Sequence, residues 1–287
     1  MKTAEQQYLD LGSRIVEEGV WVENKRTGVR CLTVANETLH YDVENGLTPV
    51  LSTRPVPYKG GLGEFIAYLQ GKGNAAEFRE LGSNTWNSNA NENEAWLKNP
   101  NRKGEDDMGR VYGVQGRDWT NQFGAKLDQL KKIIDNLNRG IDDRGEILTF
   151  WNPGEFDYGC LRPCMHTHQF TLLGNKLHLT SVQRSFDWAL GGPANMLQCY
   201  FFLQLMAQVT GHIAGQVTHH VVNAHIYENQ LELAKEQLKR TPHRTDTQFW
   251  VNPNIRTLED IDKMTKNDVK LIGYFSDYDP IKYPFTV

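Results

Sequence analysis

Two cysteines and two histidines lie close together in the segment CLRPCMHTHQF, residues 160–170. Cysteine and histidine are the usual zinc ligands, so Cys160, Cys164, His166 and His168 are candidates for a metal site. However, strand alternation places residues 164, 166 and 168 on one face, and neither C-x3-C nor H-x-H is a standard zinc-finger spacing. The spacing favours a second interpretation, in which Cys164 is a nucleophile.

A nucleophilic cysteine needs positive charge nearby, because a cation lowers the pKa of the thiol. Arg162 is close to Cys164 in sequence, and Arg184 ends the next predicted strand, across a hairpin whose turn is LGNK. We therefore expect Arg184 to face Cys164 across two paired strands.

Polar side chains crowd the segment QRSFDWALGGPAN, residues 183–195, just before an apolar stretch. Buried polar groups must be satisfied by the protein or by a ligand, and Arg with Ser suits a phosphate. The structural alternative is that Asp187 or Asn195 caps the helix that follows. In NAHIYENQ, residues 223–230, His225 and Tyr227 stand two apart, and a histidine at a strand edge is usually structural.

The elements that must position these residues form a mixed pattern. Strands are predicted at 31–43, 147–151, 166–173, 176–184 and 216–223, and helices at 127–137 and 225–239. Residues 194–210 are nearly all apolar, which predicts a central buried helix. The polar stretch 83–110 is interpreted as a long surface excursion. We predict one α+β domain over residues 1–287, with a mostly β core.

Composition limits the class of protein. Of 287 residues, 31 are Lys or Arg and 35 are Asp or Glu, giving a net charge of −4, which argues against DNA as a partner. The sequence lacks an apolar run of the roughly 20 residues that a membrane helix needs. The start, MKTAEQQYLD, lacks the apolar core of a signal peptide, so a cytoplasmic location is expected.

Motifs spread along nearly the whole sequence resemble those of the thymidylate synthase family. They keep the family's order and spacing: KRTG (25–28), EFIAYLQG (64–71), Trp86, MGRVYG (108–113), WNPGE (151–155), RPC (162–164), QRSFD (183–187), Asn195, HIY (225–227) and IKYPFTV (281–287). The resemblance implies the α+β fold of that family, with homodimers that pack sheet to sheet. It also implies dUMP as substrate, 5,10-methylenetetrahydrofolate as cosubstrate, and no metal.

The resemblance assigns roles to matching positions in this sequence. The implied catalytic residues are Cys164, Glu64, Tyr112 and Arg184. The implied nucleotide-binding residues are Arg26, Arg144 (reaching the partner's phosphate site), Gln183, Ser185, Asn195, His225 and Tyr227. The implied folate-binding residues are Trp86, Asp187, Gly191 and Val287.

Several positions depart from the family's usual motifs. Ala194 stands where a Phe is usual, Asn89 where a second Trp is usual, and Trp188 follows Asp187 where a smaller residue is usual. Loss of aromatic side chains from the folate pocket would hold the folate less tightly and would admit water to the last step of the reaction. These departures therefore favour a phage-type deoxyuridylate hydroxymethylase, acting in the host cytoplasm and forming 5-hydroxymethyl-dUMP and tetrahydrofolate. The alternatives are a thymidylate synthase and, more remotely, an inactive nucleotide- or RNA-binding relative.

Overall fold

The computed structural model describes residues 2–23, 28–243 and 246–285. The described helices are α1 (Ala4–Glu18), α2 (Tyr58–Leu69), α3 (Ala75–Glu80), α4 (Asn87–Asn91), α5 (Glu94–Leu97), α6 (Gly113–Arg117), α7 (Gln129–Asn138), α8 (Gly191–Thr210), α9 (Leu231–Leu238) and α10 (Leu258–Ile261). The described strands are β1 (Val20–Glu23), β2 (Arg30–Asp42), β3 (Trp119–Thr120), β4 (Lys126–Leu127), β5 (Ile147–Thr149), β6 (Met165–Leu173), β7 (Lys176–Gln183), β8 (Phe186–Asp187), β9 (Ile213–Tyr227), β10 (Gln248–Val251) and β11 (Val269–Ile272). The predicted α+β class is confirmed.

One large sheet carries the candidate site. Its strand order is β1-β2-β9-β7-β6-β5, and β8 pairs with β9 beyond the end of β7. The predicted hairpin is present: β6 and β7 are antiparallel, with Met165 opposite Gln183. This register brings Cys164 beside Arg184, whose backbone N–H donates to the Cys164 carbonyl at 2.8 Å.

Helix α8 lies in the core and packs against α2, α7, β7 and β9. Its side chains are buried on nearly all sides, as its almost uninterrupted apolar sequence predicts. The helix begins at Gly191, two residues before the start predicted at Pro193, and Gly211 ends it with a positive φ of 71°. Residues 191–195 are therefore its first turns, so polar side chains there are held by a rigid, buried element.

The helix predicted at 225–239 is wrong in its first part. Strand β9 continues through Tyr227, and α9 begins only at Leu231. The reason is pairing with β2, in which Thr33 is opposite His225 and Cys31 is opposite Tyr227. A long partner strand supplies backbone hydrogen bonds that local sequence preference does not show. His225 and Tyr227 therefore project from a sheet.

The polar excursion predicted at 83–110 contains two short helices, α4 and α5. Helix α5 is capped by Asn93, whose side chain accepts hydrogen bonds from the N–H groups of Ala95 and Trp96. Throughout the described part of the chain, every helix is too short or too polar to cross a membrane.

Candidate active site

The Cys164 sulfur lies next to a guanidinium group. Nη2 of Arg184 is 4.0 Å from Sγ, while its Nε and Nη2 donate to the carbonyls of Pro163 (2.9 Å) and Arg162 (3.0 Å). The guanidinium also lies over the ring of Trp151. These contacts hold a permanent positive charge beside a partly exposed thiol. A partly exposed thiol beside a fixed positive charge has the surroundings that suit a nucleophile.

Tyr112 fixes the backbone of the same cysteine. Its hydroxyl oxygen accepts a hydrogen bond of 2.7 Å from the Cys164 N–H, and its φ is +38°, in the region that favours glycine. The ring stacks on Tyr68 at 4.4 Å and meets the edge of Trp86. Burial, then the neighbouring Cys164, raises the pKa of Tyr112 well above its usual value. The phenol is therefore protonated and positioned by an aromatic cluster.

Glu64 lies on α2 and faces α8. Its carboxylate accepts hydrogen bonds from the Thr85 hydroxyl (2.6 Å) and from Nε2 of Gln198 (2.9 Å). Burial raises the pKa of Glu64, and these hydrogen bonds oppose that rise. A buried carboxyl group whose pKa is raised is suited to take up and release a proton.

The start of α8 gathers amide side chains. Nε2 of Gln183 donates to Oδ1 of Asn195 at 2.9 Å and to the Ser185 carbonyl at 2.8 Å. Gly191 lies against Asn195, because a Cβ at Gly191 would be 3.5 Å from that same Oδ1. The structure thus brings four predicted site residues together. Asn195 binds neighbouring side chains and does not cap the helix, so the capping alternative is wrong for this residue.

Asp187 does hold backbone groups before α8. Its Oδ1 accepts hydrogen bonds from the N–H groups of Ala189 (3.0 Å) and Leu190 (3.1 Å). Burial raises the pKa of Asp187 to about 6. The carboxyl group is therefore fixed in direction, and it is easier to protonate than a surface aspartate.

His225 and Tyr227 form an edge-to-face pair at 5.2 Å near the end of β9. Nδ1 of His225 is 2.8 Å from Oδ1 of Asn223, and burial lowers the pKa of His225 to about 4. The imidazole is therefore neutral at physiological pH. Asp187 in β8 is paired with His225, so His225 and Tyr227 lie next to the junction between β8 and α8.

Three predicted residues are not in this cluster. Arg144 is exposed in the turn before β5, with φ of 67°, and its carbonyl accepts a hydrogen bond from Gln169. Arg26 and Val287 lie outside the described residues. The zinc alternative has no support, because the described residues contain no group of three or more His, Cys, Asp or Glu side chains that could hold a metal.

Sequence reasoning missed Gln198 and Thr85, which hold the carboxylate of Glu64. A signal for Gln198 was present. It stands three residues after Asn195 in a stretch that is otherwise almost apolar, and residues at i and i+3 share a helix face. Thr85 gave no comparable signal, because the contact depends on how the loop before α4 folds over α2.

A family model described as "Thymidylate synthase" matches residues 6–287. The chain belongs to the thymidylate synthase family. It is 58% identical to the "Thymidylate synthase" of Idiomarina loihiensis over 282 residues, which is 98% of this chain and 99% of that protein. It is 59% identical to the "Thymidylate synthase" of Haemophilus influenzae (strain PittGG) over 283 residues, with the same coverage.

Membership of the thymidylate synthase family makes this chain a transferase. The family binds dUMP and folate and uses methylenetetrahydrofolate as cosubstrate. These statements agree with what the motifs imply. Neither phage DNA modification nor hydroxymethyl transfer is supported by the matches.

The prediction of a hydroxymethylase is wrong. Relatives that are 58–59% identical over nearly the full length are named thymidylate synthases. The structure gives a physical reason for the error at Trp188, which is fully buried in the core. Its ring stacks on Tyr8 at 4.5 Å, and its Nε1 donates to the Tyr8 carbonyl.

Ala194 also has a packing explanation. Its Cβ lies 2.9 Å from the position that a Cβ on Gly61 would occupy, so two small residues face each other where α2 meets α8. The small side chain at position 194 therefore fits a close helix–helix contact. A missing Phe here does not by itself indicate that water enters the site.

Proposed function

We propose that this protein converts dUMP to dTMP, with methylenetetrahydrofolate oxidised to dihydrofolate. The observation that carries this proposal is the setting of Cys164: its thiol lies beside the Arg184 guanidinium, and its backbone N–H donates to the Tyr112 hydroxyl. The comparisons support it, because close relatives carry the name of this activity. The cosubstrate supplies both the one-carbon unit and the hydride that reduces it to a methyl group.

Cys164 makes C5 of uracil reactive. Its thiolate adds to C6, which turns C5 into an enolate-like carbon that attacks the one-carbon unit. Arg184 stabilises the thiolate before addition. The Tyr112 hydroxyl, which accepts a hydrogen bond from the Cys164 N–H, assists removal of the C5 proton. Glu64 moves a proton to and from the uracil carbonyl through water. Loss of the C5 proton expels tetrahydrofolate and leaves an exocyclic methylene on C5. Hydride from that tetrahydrofolate reduces the methylene to a methyl group while the Cys164 thiolate leaves C6, so the folate product is dihydrofolate.

The binding residues divide between the two substrates. We propose that Arg184 and Ser185, with Arg26, bind the phosphate, that Asn195 binds the uracil edge, and that His225 and Tyr227 bind the sugar hydroxyl. On the folate side, the Asp187 carboxyl is fixed by two backbone N–H groups, and such an acceptor fits the N–H donors of a pterin ring. Trp86 packs behind Tyr112 and supports it. Gly191 and Val287 are proposed to line the folate pocket.

We further propose a homodimer in which Arg144 reaches the partner's phosphate site, with residues 1–287 as one domain in the cytoplasm. The exposed position of Arg144 at the β5 edge of the sheet supports this assignment. An arginine that projects from an exposed turn is free to bind a neighbouring molecule.

A product assay tests the activity. Purified protein with dUMP and methylenetetrahydrofolate should form dihydrofolate, seen by absorbance, and an equal amount of dTMP, identified by mass. Cys164→Ser should lower kcat by about 10⁴-fold or more, because the hydroxyl is a far weaker nucleophile, while dUMP binding stays measurable.

Cys160→Ser is the matched control. Burial raises the pKa of Cys160 to about 12, so this thiol is not a nucleophile and its loss should leave kcat within a few-fold of the unmodified protein. Near-native turnover in Cys164→Ser, or tetrahydrofolate as the only folate product of the unmodified protein, would contradict the proposal.

A further inference from the structure

A line of buried hydrogen bonds runs from the sheet to Asn195. The Tyr41 hydroxyl lies 2.9 Å from Nδ1 of His219, and Nε2 of His219 lies 3.0 Å from Oε1 of Gln183. Nε2 of Gln183 then reaches Oδ1 of Asn195 at 2.9 Å. Tyr41, His219 and Gln183 are almost completely buried, so water does not compete for these contacts.

The direction of each hydrogen bond follows from the Ser185 carbonyl, which can only accept. Because Gln183 contacts that carbonyl at 2.8 Å, its nitrogen must point there and its Oε1 must face His219. His219 therefore carries its proton on Nε2, and its Nδ1 accepts from the Tyr41 hydroxyl. Burial lowers the pKa of His219 to about 3, so the ring is neutral and has one donor and one acceptor.

The same logic fixes the amide of Asn195. Its Oδ1 accepts from Gln183, and its Nδ2 donates to Oε1 of Gln198 at 2.9 Å. Gln198 in turn donates through Nε2 to the Gly61 carbonyl and to Glu64. If the amide of Asn195 turned over, its N–H groups would face the N–H of Gln183 and its oxygen would face the oxygen of Gln198.

The orientation of this amide matters for the choice of base. As placed, Asn195 offers an acceptor to the N3–H of uracil and a donor to O4. Turned over, the amide would offer a donor toward N3 and an acceptor toward the 4-position, which is the pattern complementary to cytosine. One rotation therefore exchanges preference for a 4-oxo pyrimidine with preference for a 4-amino pyrimidine.

We propose that Tyr41 and His219 are positioning residues that set selectivity for uracil over cytosine nucleotides, by holding Gln183 and through it the amide of Asn195 in one orientation. The proposal rests on the proposed function, because it takes Asn195 as the residue that binds the base edge. Neither Tyr41 nor His219 contacts the base. His219 binds Gln183 directly, and Tyr41 binds His219.

The test is the ratio of affinities for dUMP and dCMP, measured by equilibrium binding without folate. His219→Leu removes the donor to Gln183 and should lower the dUMP/dCMP ratio by about 10- to 100-fold. Tyr41→Phe removes only the hydroxyl and should lower it in the same direction by about two- to tenfold. His219→Gln restores a donor at the position of Nε2, so it should recover most of the ratio.

His220→Leu is the matched control. His220 is the next residue of β9, is exposed, and contacts Thr38 on the other side of the strand, so its loss should leave the ratio unchanged. A merely structural role for His219 would weaken the binding of both nucleotides equally. If His219→Leu does not fold, Tyr41→Phe and His219→Gln decide by the same ratio.

Two outcomes separate this inference from the activity itself. A native ratio in folded His219→Leu, or in Tyr41→Phe, overturns the role of these residues while the proposed conversion of dUMP stands. Failure of the unmodified protein to bind dUMP in preference to dCMP overturns both.

Discussion

Two regions meet at the start of α8 and satisfy their buried polar groups differently. One is the aromatic stack of Tyr8 and Trp188, which packs against Gly12. In this stack the Trp188 Nε1 and the Tyr8 hydroxyl donate hydrogen bonds to backbone carbonyls. The other is the amide cluster of Gln183, Asn195, Gln198 and Glu64, in which side chains bind one another. Both regions are buried, and the second contains the residues that we propose to bind the base.

The difference explains why an unusual residue has different meanings in the two places. Trp188 fits because Gly12 leaves room for it: a Cβ on Gly12 would be 2.5 Å from Cζ2 of Trp188. The large side chain at position 188 is therefore accommodated by the small residue that packs against it. A change in the amide cluster has no such compensation, because each amide determines which way its neighbour points. We therefore expect the stack to control stability and the cluster to control chemistry.

The largest expected effect is in the amide cluster. Asn195→Asp replaces the donor to O4 with an acceptor that suits the amino group of cytosine, so the kcat/KM ratio of dUMP to dCMP should fall by on the order of 10⁴, or about 5 kcal/mol. Paired assays with the two nucleotides measure this. Equal efficiency on both nucleotides in the unmodified protein would contradict the assignment of Asn195.

Trp188→Ala tests the aromatic stack. Removing a fully buried indole should lower the free energy of unfolding by about 3–5 kcal/mol, while kcat/KM of the folded fraction stays within a few-fold. Denaturant unfolding and an activity titration measure the two quantities. Phe123→Ala is the control, because Phe123 is exposed and its loss should cost under about 0.5 kcal/mol. A large change in the product or in kcat would place Trp188 in the active site after all.

Asp187→Asn tests the junction between the two regions through pH. Burial raises the pKa of Asp187 from 3.8 to about 6, so the folded state favours the protonated form. Its contribution to stability is fully present below about pH 3.8 and is lost as the pH rises through about 6. The unfolding free energy of the native protein should therefore fall by about 2 kcal/mol relative to Asp187→Asn between pH 4 and 7. Parallel pH curves for the two proteins would contradict the shift.

Gly12→Ala should have the smallest effect and sharpens the comparison. Alanine favours a helix by about 1 kcal/mol over glycine, but here its Cβ would overlap Trp188, so we expect a net loss of about 1–2 kcal/mol. In a Trp188→Ala background the overlap is gone, and the same substitution should become neutral or stabilising. A double-mutant cycle by denaturant unfolding measures this coupling. Additive effects would show that Gly12 does not make room for Trp188.

Local patterns allowed much of the site to be predicted. The hairpin with an LGNK turn predicts that Cys164 lies beside Arg184, and the β6–β7 register agrees. The apolar stretch 194–210 predicts a buried helix, which is α8. These predictions succeed because turn type, strand alternation and helix burial are set by residues near one another in sequence.

Other features depend on partners far away in sequence, and there prediction failed. His225 and Tyr227 are in a strand because β2 pairs with them, nearly 200 residues earlier in the chain. The direction of Trp188 is set by Tyr8, 180 residues away. A single sequence shows that a large aromatic residue follows Asp187, but it does not show which side of the junction receives the ring.

The sequence by itself determined the family and the buried helix that carries Asn195, and it predicted Cys164 as the nucleophile. Only the tertiary structure decided that Trp188 belongs to the core and that the Asn195 amide has one orientation. The physical reason is that each hydrogen bond fixes which atom of the next residue donates and which accepts. Here the series runs from Tyr41 through His219 and Gln183 to Asn195. Such a chain exists only where the fold brings β2, β9, β7 and α8 together.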